Sequence, residues 1–213
     1  MLPCTMCRGQ KRAPEGNDGV IKYWWILPFL SFFFSLNNQS FWIDECCTAL
    51  CAMQQGMEGC WKKICEIGGS DAQMAFYYYL LFLWHHLTGA ESEWMLRLFN
   101  IFWVFLSSWF FRKEPKALVI LLISPFFVYY SNELRPYMLQ IAASCAVSML
   151  FWQVSRGEPV KFHVFFGFLF FLCLTSLTGV VWALGFAAAF MVMAFRQFGG
   201  RRFRRALLWW IFP

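Results

Sequence analysis

Charge is what this chain has least of. Only 14% of its 213 residues are Asp, Glu, Lys or Arg, against about 25% in soluble domains. The sequence holds no internal repeat, no Gly-rich phosphate loop and no nucleophile elbow, which argues against a solenoid, a P-loop nucleotide site or an α/β-hydrolase. Cys4-x-x-Cys7 has no second pair, so a zinc knuckle lacks half its ligands. No small-residue cleavage site follows the first apolar run, so that run reads as an uncleaved signal anchor. What the chain does have is grease: 60% hydrophobic and 22% aromatic residues, with 27 Phe and 12 Trp. These come in long blocks rather than amphipathic stripes. The pattern predicts an all-α, polytopic membrane protein.

The blocks cover 23–36, 74–88, 98–111, 117–131, 136–154, 162–177 and 178–195, and a further one opens at 206–212. Basic residues fall in four groups: Arg8, Lys11, Arg12 and Lys22; Arg112, Lys113 and Lys116; Arg156 and Lys161; and Arg196, Arg201, Arg202, Arg204 and Arg205. If 74–88 crosses the bilayer, the later groups alternate sides. If it lies along the outer surface, all four groups are cytoplasmic, taking 14 of the 18 basic residues, and eight of the 12 acids lie outside. The second arrangement obeys the positive-inside rule. Length agrees, because fifteen helical residues reach only about 22 Å of a core about 30 Å thick. The expected architecture is a cytoplasmic basic tail, 1–22, then a membrane domain, 23–213, of six spans and the start of a seventh. Its first external loop, 37–96, holds two interfacial helices, near 43–55 and 73–88. The Arg-rich stretch 199–205 lies between apolar blocks and reads as a topology anchor rather than a nucleic-acid site.

Within that loop, Ser40-Phe41-Trp42-Ile43-Asp44-Glu45 places two adjacent acids at the mouth of the first span. One role is a helix N-cap with first-turn acids favoured by the dipole. A second is chemistry by a fixed carboxylate, and both can hold together. A very short external loop follows 117–131 and carries Glu133, Arg135 and Tyr137. Arg135 either snorkels among Tyr129, Tyr130 and Tyr137 with Glu133 as counter-ion, or offers its guanidinium fork to a phosphate. Cys46, Cys47, Cys51, Cys60 and Cys65 all lie in 37–96, where an oxidising compartment would allow one or two disulfides. Cys145 and Cys173 read as packing residues. His85 and His86 end the interfacial segment at headgroup level rather than as metal ligands.

Four stretches resemble the GT-C class of lipid-linked-sugar-dependent glycosyltransferases, most closely the protein O-mannosyltransferases and the bacterial aminoarabinose and rhizobial lipopolysaccharide transferases. They are Trp42-Ile43-Asp44-Glu45; Asp71-Ala72-Gln73-Met74-Ala75-Phe76-Tyr77-Tyr78; Ser92-Glu93 with Arg97-Leu98; and Ser124-Pro125 through Tyr130-Ser131-Asn132-Glu133-Leu134-Arg135-Pro136-Tyr137-Met138-Leu139. The resemblance implies a sugar donor on a polyprenyl phosphate, a lipid, glycan or protein acceptor on the non-cytoplasmic side, and no nucleic-acid partner. It implies Asp44 as general base, with Glu45, Asp71, Tyr78, Glu133, Arg135 and Tyr137 binding substrate. Some members of the class hold a divalent metal, and the residues leave that question open. The expected location is a plasma membrane, bacterial inner membrane for the nearest resemblances, with the N-terminus inside.

The chain departs from the family where Gln73-Met74-Ala75 replaces a His-Pro-Pro type segment. Members of the family also continue with further spans, so an N-terminal fragment is expected, and an inactive fragment is one alternative. The other alternative, a transporter or lipid flippase, would keep ionisable groups in mid-span. The centres of 117–131, 136–154, 162–177 and 178–195 hold none.

Overall fold

The computed structural model describes residues 23–36, 40–69, 71–156 and 162–211, and for 71, 162, 194 and 196–211 the backbone alone. Among these residues the regular structure is entirely helical. The order is α1 Ile26–Ser35, α2 Ile43–Ala52, α3 Met57–Ile67, a 3-10 turn Asp71–Met74, α4 Ala75–Thr88, α5 Glu93–Arg97, α6 Asn100–Phe111, α7 Pro115–Ile123, α8 Pro125–Ser131, α9 Tyr137–Ser155, α10 Phe162–Thr175 and α11 Leu177–Ile211. Two segments are long and apolar enough to cross a membrane, Glu93–Phe111 and Tyr137–Ser155. Ile26–Ser35, His163–Thr175 and Leu177–Met193 are apolar but shorter. The basic tail, the paired Cys4 and Cys7, and Lys161 lie outside the described residues.

Three apolar clusters hold the helices together. The first gathers α2, α3 and α4 around Tyr77, Tyr78, Leu81 and Leu96, with Leu134 and Leu139 at its edge. The second joins α9, α10 and α11 through Val147, Phe165, Leu172 and Phe190. The third seats α1 against α6, α7 and α8 through Phe32, Val104, Leu118 and Phe127. Much of the outside is equally apolar: Ile120, Ile123, Phe126, Phe170, Val181 and Leu184 are each at least 66% exposed. Soluble monomers rarely show contiguous apolar surface of this extent, and a lipid environment removes its cost.

Four expectations need correction. The apolar run 117–131 is not one helix: Ser124 is extended, at φ −62° and ψ 126°, and α8 restarts at Pro125. Proline lacks the N–H that would continue the ladder and disfavours a helical residue before it. The first interfacial helix ends at Ala52 rather than near 55, and α3 follows it unexpectedly. Its logic is readable afterwards: Cys60 and Ile64, one turn apart, point into the core, while Glu58 and Lys62 pair at 3.0 Å on the exposed side. Third, the backbone from Leu177 stays helical through Gly199-Gly200 and the arginine-rich stretch to Ile211. The apolar start at 206 is therefore the end of α11, not a separate element. At 35 residues, α11 is about 52 Å long. Finally, no disulfide joins the described cysteines.

One glycine is dictated by close approach. A Cβ on Gly179 would run into the Leu172 carbonyl oxygen and the Thr175 hydroxyl, where α10 hands over to α11. Gly185, also inside α11, has nothing within 4 Å. Gly179→Ala is expected to lower the thermal midpoint of the detergent-solubilised chain. Gly185→Ala should hold or raise it, since alanine is favoured by about 0.5–1 kcal/mol in a helix interior. Static light-scattering melts of the two variants beside the parent check this, and equal midpoints would remove the steric argument.

Candidate functional site

The adjacent acids at the start of α2 point in different directions. Successive residues of a helix are turned about 100° from each other, so Asp44 and Glu45 cannot share a face. Glu45 goes inward and is 1% exposed. Asp44 goes outward, and its side chain is 70% exposed.

Glu45 gathers three parts of the chain. Its Oε2 accepts a hydrogen bond from its own N-terminal turn, the Trp42 N–H, at 3.2 Å. The Arg97 guanidinium reaches it twice, Nη2 to Oε2 at 2.9 Å and Nε to Oε1 at 3.4 Å. The Leu134 N–H, from the loop between α8 and α9, donates to Oε1 at 2.7 Å. The N-capping role open to either acid is thus taken by Glu45, at the third helical position. Arg97 is itself 3% exposed and lies over the Phe41 ring at 5.0 Å. It is tolerated in an apolar segment because a carboxylate meets it there.

Asn100, fully buried one turn after Arg97, secures the same loop. Its Nδ2 donates to the carbonyls of Ser131 at 3.2 Å and Glu133 at 2.7 Å. Its Oδ1 accepts from the Tyr77 hydroxyl at 3.3 Å. The Arg135 N–H also donates to the Glu133 carbonyl, at 2.8 Å. Ser35 Oγ and Ser131 Oγ lie 3.1 Å apart and tie the end of α1 to the end of α8. Loop 131–135 is therefore fixed largely through its backbone.

The loop's side chains face two ways. Arg135, 5% exposed at its side chain, sends Nη2 to 3.8 Å from Asp44 Oδ2. Glu133 and Asn132 border a cleft of about 370 Å³ whose other walls include Trp42, Glu45, Arg97 and Tyr129. Glu133 Oε2 and Asn132 Oδ1 are buried without a hydrogen-bond partner. Burial, reinforced by the nearby Glu45 carboxylate, pushes the Glu133 carboxyl above its ordinary value, and Arg135 opposes the rise.

The other expected residues stand elsewhere. Tyr78 is fully buried, packed in the α2–α4 cluster. Its neighbour Tyr77 is the tyrosine that reaches the polar network, and burial raises its phenol well above the usual value. Tyr137 stacks on Tyr130 at 4.8 Å and lines a separate cavity between α8, α9 and α11. Asp71 opens the 3-10 turn, and its side chain is outside the described residues. His85 and His86 bind helix and turn carbonyls, of Ala90 at 2.7 Å and Phe82 at 2.9 Å. Among the described residues no three His, Cys, Asp or Glu side chains group as a metal site. Sequence reading passed over Asn100 and Asn132. For Asn100 the signal was an amide in the first turn of an apolar helix, which must find partners. Compared with known proteins, the chain matches no family model, no curated protein and no solved structure.

Breaking the Glu45–Arg97 pair from either side should be costly. Removing one partner of a buried ion pair typically costs about 3–5 kcal/mol. Glu45→Gln and Arg97→Met are each expected to lower the thermal midpoint sharply, and Arg97→Lys to do so in part, because lysine lacks the planar fork. Midpoints at the parent level for Glu45→Gln would show that the pair does not hold the loop.

Proposed function

We propose that this chain carries the catalytic end of a multi-pass membrane glycosyltransferase of the GT-C class. It moves a sugar from a polyprenyl-phosphate donor to an acceptor on the non-cytoplasmic side. The observation that carries the proposal is the pair at the mouth of the site: an exposed carboxylate, Asp44, 3.8 Å from the buried guanidinium of Arg135. Such a pair suits transfer from a lipid phosphate. The acceptor oxygen bonds to the anomeric carbon as the carbon–oxygen bond to the phosphate breaks. The electron pair of that bond leaves on the phosphate, next to Arg135, and the acceptor's proton passes to Asp44. Glu45 supports the reading indirectly, by fixing the first turn of α2 and hence where Asp44 stands. The four motif stretches support it too, since three of them, around Asp44, Arg97 and Arg135, meet at one place in the fold.

The proposal includes the six-span topology, with 37–96 outside. The apolar outer surface and the short α4, 14 residues long, favour it. Labelling is best read at exposed positions. Cys60 is a poor reporter, because burial removes it from solvent and pushes its thiol up to about 11. Cys65 and Glu91 are exposed on either side of α4. In a chain otherwise stripped of cysteine, a membrane-impermeant maleimide should label both Cys65 and a Glu91→Cys variant in sealed cells. Labelling of Cys65 alone would mean that 74–88 crosses the bilayer, and the topology would fail.

Asp44→Asn tests the base. Asparagine keeps the size of the side chain but cannot take a proton. With the longest natural form of the chain in membranes, sugar transfer to acceptor should fall about 10²–10⁴-fold at unchanged expression and insertion. A rate within a few-fold of the parent would remove Asp44 as the base.

A further inference from the structure

We propose that the ends of α6 and α9 remote from Asp44 bind an anionic glycerophospholipid. Its phosphate lies among Arg112, Lys113, Lys116 and Arg156, and an acyl chain enters the cavity between α6, α7 and α9. The proposal rests on the membrane-embedded reading of the chain and is independent of glycosyl transfer. The place is not that of a sugar donor at Asp44, because the 19 residues of α9, about 28 Å, separate it from loop 131–135.

Two helix ends meet at this level. Helix α6 runs out into Arg112 and α9 into Arg156. Arg156 Nη1 lies 3.4 Å from Glu114 Oε1, which ties the two ends together. Each arginine folds back over a tryptophan of its own helix. Arg112 Cζ is 3.6 Å from the Trp109 ring centroid, and Arg156 Cζ is 5.7 Å from that of Trp152. Both rings are about half exposed. Tryptophan stacked with arginine at the end of an apolar helix belongs to the headgroup level of a bilayer. Segments 109–117 and 149–156 hold four cations and one carboxylate, Glu114. Lys113 and Lys116 are exposed and pair with no described carboxylate. That surplus of positive charge suits a phosphate diester at a lipid surface.

Beside these charges lies an apolar slot. A cavity of about 320 Å³ is walled by Phe111, Ala117, Met149 and Trp152 together with Glu114 and Ser148. Phe111 and Ser148 also line the cavity of about 510 Å³ between α8, α9 and α11, which gives an acyl chain room to continue. Ser148 supplies a polar group inside this slot. Ser107 and Ser108 give their hydroxyls to carbonyls one turn back, at 2.7 Å and 2.8 Å. Ser148 has no such partner among the described residues, and its side chain lines both cavities. An unmet hydroxyl in an apolar wall carries a penalty that an incoming acceptor removes. Ser148 stands one helical turn, about 6 Å, deeper than Trp152, over which Arg156 folds. A glycerophospholipid presents its parts in this order: phosphate, then ester carbonyls, then alkyl chains. A soluble phosphate would fill only the first of these places.

The test uses the full chain purified in detergent and native mass spectrometry with two lipids of identical chains, palmitoyl-oleoyl phosphatidylglycerol and palmitoyl-oleoyl phosphatidylcholine. Phosphatidylglycerol should bind more tightly. Lys116→Gln, at an exposed position, should weaken it about fivefold, the scale of one basic residue near anionic lipid, and leave phosphatidylcholine unchanged. Glu114→Gln removes the competing carboxylate and should strengthen phosphatidylglycerol binding. A bridge to Arg156 that served the fold alone would make the same variant weaken it. Ser148→Ala should lower the binding of both lipids alike, since both carry the esters. Equal binding of the two lipids by the parent would overturn the site. Phosphatidylglycerol binding that is unchanged in Lys116→Gln and weakened in Glu114→Gln would overturn it too. So would displacement of phosphatidylglycerol by inorganic phosphate alone, which would mark a soluble-anion site. The membrane reading is checked separately by alkaline carbonate extraction. A chain released from membranes would strike that reading and the site with it, whereas a chain that resists release but shows no preference for phosphatidylglycerol loses the site alone.

Discussion

The polar contacts among α2, α5 and the α8–α9 loop centre on one buried carboxylate. Glu45 sits where α2, α5 and the α8–α9 loop meet, and it takes hydrogen bonds from all three. Apolar packing is indifferent to small slides between helices. A carboxylate with a bidentate guanidinium and a 2.7 Å backbone N–H is not. Desolvating the two ions offsets much of their attraction, so the pair contributes little net stability compared with a well-packed apolar substitute. Its effect is positional. It sets the first turn of α2 and the loop that carries Glu133 and Arg135 in one fixed relation, and Asn100 repeats the device from the next turn of the same segment.

The side-by-side acids make sense in that light. On a helix, neighbours diverge by about 100°, so an acid pair at a helix start divides inside from outside. Glu45 anchors, and Asp44 is held at the surface with its carboxylate largely open to solvent. A single acid could not do both, because the groups that hold Glu45 would occupy the lone pairs that a base needs. The helix start also accounts for why acids are tolerated at the edge of so apolar a chain, since the dipole and the free N–H groups favour negative charge there.

Much of the helix content was legible in the sequence, because long apolar blocks admit few other structures in lipid. Helices α4, α6 and α9 fall close to the runs that announced them. The break at Ser124-Pro125 was visible in the proline, yet the apolar run on both sides concealed it. Helix α3 was missed because its apolar stripe is narrow, Cys60 and Ile64 among Lys and Glu, and a search for membrane-length blocks overlooks stripes of that width. The site was legible in its residue types and not in its pairings. In the sequence Arg97 stands only as part of a motif, directly before the apolar block 98–111. That it answers Glu45, 52 positions earlier, depends on how α5 lies against α2. Tyr77 and Tyr78 are adjacent and both fully buried, and only the rotation of α4 decides that Tyr77 meets Asn100.

The polar groups of loop 131–135 divide by charge on two sides of one acid. Arg135 brings positive charge to Asp44 from the buried side. Trp42 and Glu45, on either side of Asp44 in sequence, line a cleft together with Arg97, Asn132 and Glu133. This combination of charges is why transfer chemistry is proposed for this corner of the described chain. The cavity between α1 and α7–α8 is lined mainly by Leu, Ile, Val and Phe, the one between α8, α9 and α11 by a mixture of apolar side chains and hydroxyls with Gln140, and no charged side chain lines either of them.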